Sequence, residues 1–208
     1  DVYKRQKEVS STIEIERIMG VIEKIKNSVP SAIISVDTRK SMVAEKALQA
    51  GATIVNDISA GSFDKKMFEV VAKHRAGICL MHSRGIPENM QNMPYYDDIL
   101  LDIYDYFEEK IAEAQSIGIP REKIVIDPGI GFGKKLHHNL KIINKISLFL
   151  GLGLPVMIGV SRKSFIGEII SERDPSERLT GSVVAMLASL NRGVNIVSCL
   201  LYTSDAAD

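Results

Sequence analysis

Six short apolar runs punctuate the chain: Ala32–Thr38, Ala52–Ser59, Ala76–His82, Lys123–Gly129, Pro155–Lys163 and Val194–Leu200. Each is rich in Val, Ile or Leu and too short for a helix. They read as strands covered on both faces, the signature of a parallel sheet. Helical spacing fills the intervals. Ile13, Ile18, Ile22 and Ile25 recur on one face before the first run, and Ser11 with Glu14 matches a capping box. Ala44, Ala47 and Leu48 follow the first run; Phe68, Val71 and Ala72 follow the second. Ile99, Ile103, Phe107 and Ile111 make a long stripe after the third. Leu140, Ile143 and Ile146 follow the fourth, and Leu179, Val183, Met186 and Leu190 precede the sixth. Strands alternating with helices specify an α/β fold.

Polar residues cluster where the runs end: Asp37, Asn56 with Asp57, His82, Asp127, and Ser161 to Lys163. A (β/α)8 barrel carries its chemistry at the C-terminal ends of its strands, whereas an open sheet concentrates it at one switch point. Polar groups at so many ends favour the barrel. A full barrel needs eight strands and about 250 residues. The 208-residue chain supplies about six βα units, so the expected fold is an incomplete (β/α)8 barrel in a single domain, 1–208.

Bulk properties narrow the function. Lys plus Arg and Asp plus Glu both number 26, so no charge excess points to nucleic acid. No apolar stretch is long enough to span a membrane, and the first residues show no signal peptide. Cys79 and Cys199 lie far apart without a CxxC partner and read as two buried, reduced thiols of a cytoplasmic protein. No His/Cys/Asp spacing indicates a metal site.

The segment IVIDPGIGFGKK, Ile124–Lys135, looks like a phosphate loop. Gly129 and Gly133 are one residue too close for a P-loop, and Lys135 stands where Ser or Thr belongs. Gly129, Gly131 and Gly133 give G-x-G-x-G, not the dinucleotide fingerprint. What remains is a strand ending in a carboxylate, followed by a loop that lets another group approach the backbone.

SVDT, AGATIVNDIS, LMHSRG, DPGIGFGK, GVSRKSFIG and ERLTGS, in this order between about Val9 and Val197, resemble the dihydropteroate synthase family of pterin-binding enzymes. The resemblance implies a transferase of folate biosynthesis. Such enzymes condense 6-hydroxymethyl-7,8-dihydropterin pyrophosphate with p-aminobenzoate, releasing pyrophosphate with the help of Mg2+. It implies catalytic roles for Lys163, Asp127 and Asp37. Asp127 would accept the paired N–H groups of the pterin edge, a charge-assisted interaction that is strong in a dry pocket. Asn56 would match the mixed donor–acceptor edge, and Asp37 would favour positive charge developing on the ring. Lys163 would lie between the two substrates, Ser164 on the aminobenzoate carboxylate and Phe132 against its ring. Arg162 would border that site, and Gly159 and Met81 would shape its wall. Asp57 has a structural alternative. His82 and Arg84 read as a satisfied histidine and a loop arginine, and His137 and His138 as surface. The family also implies a homodimer and inhibition by sulfonamides, which imitate p-aminobenzoate.

The chain departs from the family pattern at both ends. The strand that supplies a Mg2+ ligand and the Ser-Thr-Arg-Pro loop find no counterpart, and Ser198 and Leu200 stand where the family has Arg-x-His to grip pyrophosphate. Residues 1–8 and 199–208 read as non-native tails on an internal fragment, so weak turnover or none is expected of this chain. Two other readings compete. One is a pterin-dependent methyltransferase with a corrinoid partner; the other is a non-catalytic pterin-binding fragment.

Overall fold

The computed structural model describes residues 9–84, 95–172 and 174–200. The chain divides into two compact units. The first takes residues 9–81 and 107–125; the second takes its described residues from 82–106 and 126–200. The tails expected at 1–8 and 199–208 lie outside the described residues, except for Cys199 and Leu200.

In the first unit, α1 (Ser11–Ser28) starts at Ser10, whose Oγ accepts the Ile13 N–H at 3.4 Å. The cap is therefore Ser10 and not Ser11, and Glu14 is not part of a capping box. Glu14 instead accepts Lys40 Nζ at 2.9 Å and Thr38 Oγ1 at 3.3 Å. A parallel sheet follows in the order β1 (Ser35–Asp37), β2 (Ile54–Asp57), β3 (Gly77–Met81) and β4 (Ile124–Asp127), with β4 leaving this unit at Ile126. Its register pairs Asp37 with Asn56, Asn56 with Cys79, and Asp57 with Leu80. Helices α2 (Ser41–Gln49) and α3 (Met67–Lys73) follow β1 and β2, burying Val43, Ala44, Ala47, Met67, Phe68 and Val71.

In the second unit, Ile126 bridges Val156, and β5 (Met157–Gly159) pairs in parallel with β6 (Ile196–Ser198). Helices α5 (Leu136–Asn144), α6 (Ser164–Ile170) and α7 (Leu179–Leu190) fill the intervals. The helix between β3 and β4, α4 (Ile99–Ser116), buries its whole expected stripe of Ile99, Ile103, Phe107 and Ile111.

Four expectations need correction. The strands are three to five residues long, shorter than the apolar runs, because the flanking residues enter turns. Full coverage on both faces holds for β3 and β4. In β1, Ser35 and Asp37 are exposed around buried Val36, since β1 ends its sheet order and has a pairing partner on one side only. The stripe Leu179, Val183 and Leu190 does not face the core of α7; Ser182 and Ser189 are buried instead. A Cβ at Gly181 would collide with the Ile166 side chain, so α7 turns its small residues toward α6. The buried hydroxyls stay satisfied by donating back along the helix, Ser182 Oγ to the Arg178 carbonyl at 2.6 Å and Ser189 Oγ to that of Ala185 at 2.7 Å. Neither Cys79 nor Cys199 forms a disulfide among the described residues, and Cys199 is exposed, not buried as expected.

Replacing Phe107, which is fully buried in α4, with Ala should lower the unfolding free energy by about 3–5 kcal/mol through lost contacts and a residual cavity. Urea denaturation measures this as a lower midpoint with an unchanged slope. A loss under about 1 kcal/mol would remove the α4 stripe from the core.

Candidate active site

The first unit places Asp37 and Asn56 side by side at the ends of β1 and β2. Asn56 Nδ2 donates to Asp37 Oδ1 at 3.0 Å. That bond fixes the amide and leaves Asn56 Oδ1 buried with no hydrogen-bond donor. Asp57, the next residue, points to the opposite face and is fully buried. Its Oδ1 accepts Ser59 N and Oγ at 2.8 and 2.6 Å, and its Oδ2 accepts Gly61 N at 2.7 Å. Burial raises its carboxyl above the ordinary value against the pull of those bonds. Asp57 thus closes the loop after β2, the structural role. Met81, buried, ends β3 one position beyond the Asp57–Leu80 pair.

The second unit builds a site around Asp127 at the end of β4. Asp127 is buried, and its Oδ1 accepts Gly129 N at 2.8 Å, which starts the glycine loop. Gly129, Gly131 and Gly133 adopt φ of 69°, 82° and 63°, a left-handed region that side chains rarely enter. At Gly133 the demand is double, because a Cβ there would collide with the Arg84 carbonyl. The loop is pinned by Asn139 Oδ1, which accepts Gly131 N at 2.8 Å, and by Tyr96, whose hydroxyl donates to the Gly133 carbonyl at 2.9 Å.

Two lysines enter this loop from different sides. Lys163, at the start of α6, donates to the Ile130 carbonyl, and its Nζ stands 4.8 Å from the centre of the Phe132 ring. Gly159 lies beside it, and a Cβ there would sit 3.7 Å from Nζ, an ordinary contact. Burial lowers its pKa to about 8, against the opposing pull of the Asp127 charge. Lys134 is buried with all three donors placed, on His82 Nδ1 at 3.0 Å, the His82 carbonyl at 3.2 Å and the Phe132 carbonyl at 2.9 Å. Burial holds its pKa well below the ordinary lysine range.

Arg162 precedes Lys163 with φ of 54°, a strained value for a side-chain-bearing residue. Ser182 Oγ accepts its N–H at 2.8 Å, and its carbonyl accepts Arg178 Nη1 at 3.0 Å. The turn thus holds Lys163 outside the helix and sets Ser164, half-buried, as the first helical residue.

The pterin binding enzyme family matches residues 2–199. The chain belongs to that family. This pterin binding enzyme is 39% identical over 189 residues to the dihydropteroate synthase of Synechocystis, covering 91% of this chain and 65% of that protein. It therefore spans just under two thirds of the relative's length. The Yersinia pestis dihydropteroate synthase, solved with a sulfonamide drug complex, superposes with a TM-score of 0.89 at 36% identity, over 93% of this chain and 69% of that one. The Xanthomonas albilineans dihydropteroate synthase, solved with 4-aminobenzoic acid, gives 0.88 at 33% identity, over 97% and 72%. The fold class of this pterin binding enzyme is the (β/α)8 barrel, represented by six parallel strands among the described residues.

The first unit thus brings Asp37 and Asn56 together, and the second brings together Asp127, Phe132, Gly159 and Lys163, with Arg162 and Ser164 flanking the lysine. His82 is buried and satisfied, and Arg84 lies over the Tyr96 ring at 4.6 Å. His137 is exposed; His138, half-buried, accepts the Lys135 N–H at 3.2 Å. Lys134, Tyr96, Asn139 and Ser182 escaped the sequence reading. Lys134 and Ser182 close the motifs DPGIGFGK and ERLTGS, which gave neither of them a role.

Lys163 should be cationic below about pH 8 and neutral above it. The unfolded chain keeps this proton to higher pH, so this group's contribution to stability rises as pH climbs through 8. Carbon-13 NMR of methylated lysines, assigned with Lys163→Arg, follows the titration. A midpoint at the ordinary 10.5 would contradict the desolvated placement.

Proposed function

We propose that this family member is a dihydropteroate synthase, joining 6-hydroxymethyl-7,8-dihydropterin pyrophosphate to p-aminobenzoate. The observation that carries the reading is Asn56 Oδ1, a buried acceptor without a donor beside the Asp37 carboxylate. Such an atom is costly unless a ligand N–H completes it. A pterin, with donors and acceptors alternating along its edges, is suited to that position.

Asp127 takes the amino and ring N–H of the pterin, and Asp37 favours the cation that develops as the methylene C–O bond breaks. The electron pair of that bond leaves with pyrophosphate. The aniline nitrogen attacks the methylene carbon and then releases its proton. Lys163 donates to the pterin and lies against Phe132, whose ring packs the aminobenzoate. Ser164 receives the aminobenzoate carboxylate, Arg162 borders it, and Gly159 and Met81 form the wall. The relatives' names and the Phe132–Lys163 pair favour this over corrinoid-linked methyl transfer or binding without catalysis.

Among the described residues no group of three His, Cys, Asp or Glu could hold a metal ion, so these donors do not fit Mg2+ and no step here passes through it. Magnesium belongs to the reading as a partner of the whole protein. Neither Ser198, the last residue of β6, nor Leu200 two positions on is a cation for the leaving pyrophosphate, so weak turnover belongs to the proposal. A cytoplasmic homodimer completes the proposal, supported by two cysteines outside any disulfide and the exposed Val184, Leu187 and Leu190 of α7. No helix among the described residues is long and apolar enough to cross a membrane.

Calorimetric titration of the chain with the pterin pyrophosphate, followed by p-aminobenzoate, tests the reading. Asp127→Asn should weaken pterin binding by about a hundredfold, the scale of two lost charge-assisted bonds. Unchanged affinity would remove Asp127 from the clamp.

A further inference from the structure

The best-satisfied charge in the second unit is one the proposed chemistry does not use. Lys134 is 3% exposed, yet no carboxylate accepts a hydrogen bond from it. Its three acceptors are neutral, and they come from two separate segments: the residue after β3 and the glycine loop after β4. With Lys134 as the donor, Nδ1 is the acceptor and the His82 proton sits on Nε2. The ring is held edge-on to Tyr106, with centres 4.9 Å apart, and lies 6.1 Å from Tyr96. The His82 N–H in turn donates to the Asp127 carbonyl at 2.9 Å. Lys134 therefore ties the residue after β3, whose N–H bonds the Asp127 carbonyl, to the Phe132 carbonyl of the glycine loop.

We propose that Lys134, seated on His82, is a positioning residue that fixes the Asp127 carboxylate and the Phe132 ring for the two substrates. The proposal rests on the synthase reading of this site. A buried cation with three neutral acceptors has one low-energy position, so the loop it holds has one as well. The charge also acts on Asp127 directly, through mutual attraction. Losing it should make the carboxylate easier to protonate and the clamp weaker in acid.

The charged groups around the pair are Asp127 from β4, Lys163 from α6, His138 from α5 and Arg84 beside His82. Burial, then the charges of Lys134 and Arg84, hold His82 well below its ordinary pKa, so the ring is neutral and able to accept at physiological pH. A depressed base contributes stability above its ordinary pKa and loses it as pH falls through the folded value. Acid would place two cations 3.0 Å apart and open the contact.

The test compares the full chain with Lys134→Met, Lys134→Gln, His82→Phe and His82→Asn, whose amide oxygen takes the place of Nδ1. The probes are 6-hydroxymethylpterin and p-aminobenzoate. Lys134→Met and His82→Phe should weaken both by about tenfold, and His82→Asn should stay within about twofold of wild type. Lys134→Met and Lys134→Gln should also move the acidic limb of pterin binding to higher pH, a change that loosened packing alone does not produce. Without ligand, nitrogen-15 NMR should show His82 protonated at Nε2, and the Gly131 and Gly133 amides should exchange faster in Lys134→Met. Folded lysine variants with wild-type affinities and pH profile would overturn the proposal, as would His82→Asn failing as badly as His82→Phe. If Lys134→Met does not fold, the glutamine and His82 variants decide. A wild-type chain binding neither probe sinks the synthase reading instead, and the tautomer and amide exchange then still report whether Lys134 holds the loop.

Discussion

Strands covered on both faces can present polar groups only at their ends. Asp37 ends β1 but stays exposed, whereas Asp57 and Asp127, the last residues of β2 and β4, and His82, the first after β3, are buried. Desolvation is severe at such positions, so each group there must be satisfied by the turn that follows it. Asp57 is consumed by that demand, with Ser59 and Gly61 filling both of its oxygens. Asn56 is not, because its neighbour Asp37 satisfies only the amide nitrogen. Adjacent residues of one strand thereby divide between holding the loop and facing a ligand.

The same logic separates the two lysines around the glycine loop. Lys134 has an acceptor for each of its three donors, and such a group stabilises geometry. Lys163 has one carbonyl and an aromatic face, so its charge is less well paid for by the protein alone and remains available to a substrate. Both feel Asp127, and the Lys163 charge disfavours that of Lys134, so one loop is bordered by a fixed and a responsive cation.

The sequence carried the centres of all six strands and the α4 stripe, because parallel strands and buried helices leave dense apolar runs. Strand lengths were not legible: whether Ser161 or Lys163 continues an extended run depends on the Arg162 turn, which Ser182 of α7 and Arg178 just before it hold. Asp127 and Lys163 stood out as charges ending apolar runs. Lys134 did not, since nothing in the pair Lys134–Lys135 distinguishes its members and only the fold shows that one is buried and the other exposed. The role of Asp57 was equally hidden, because its partners are backbone amides, which sequence does not distinguish.

The failed stripe in α7 and the strained Arg162 have one cause. Arg162 needs an acceptor for its N–H in a left-handed turn, and Ser182 supplies it. For Ser182 to reach that turn, α7 must press its Gly181–Ser182 face against α6. A helix has one angular orientation, so choosing that face sends Leu179, Val183, Val184 and Leu187 outward. An apolar stripe predicts burial only when nothing else competes for the inward face. Here a serine required by a strained turn beside Lys163 competes and wins, and the apolar exposure on α7 is the visible consequence of holding that lysine in place.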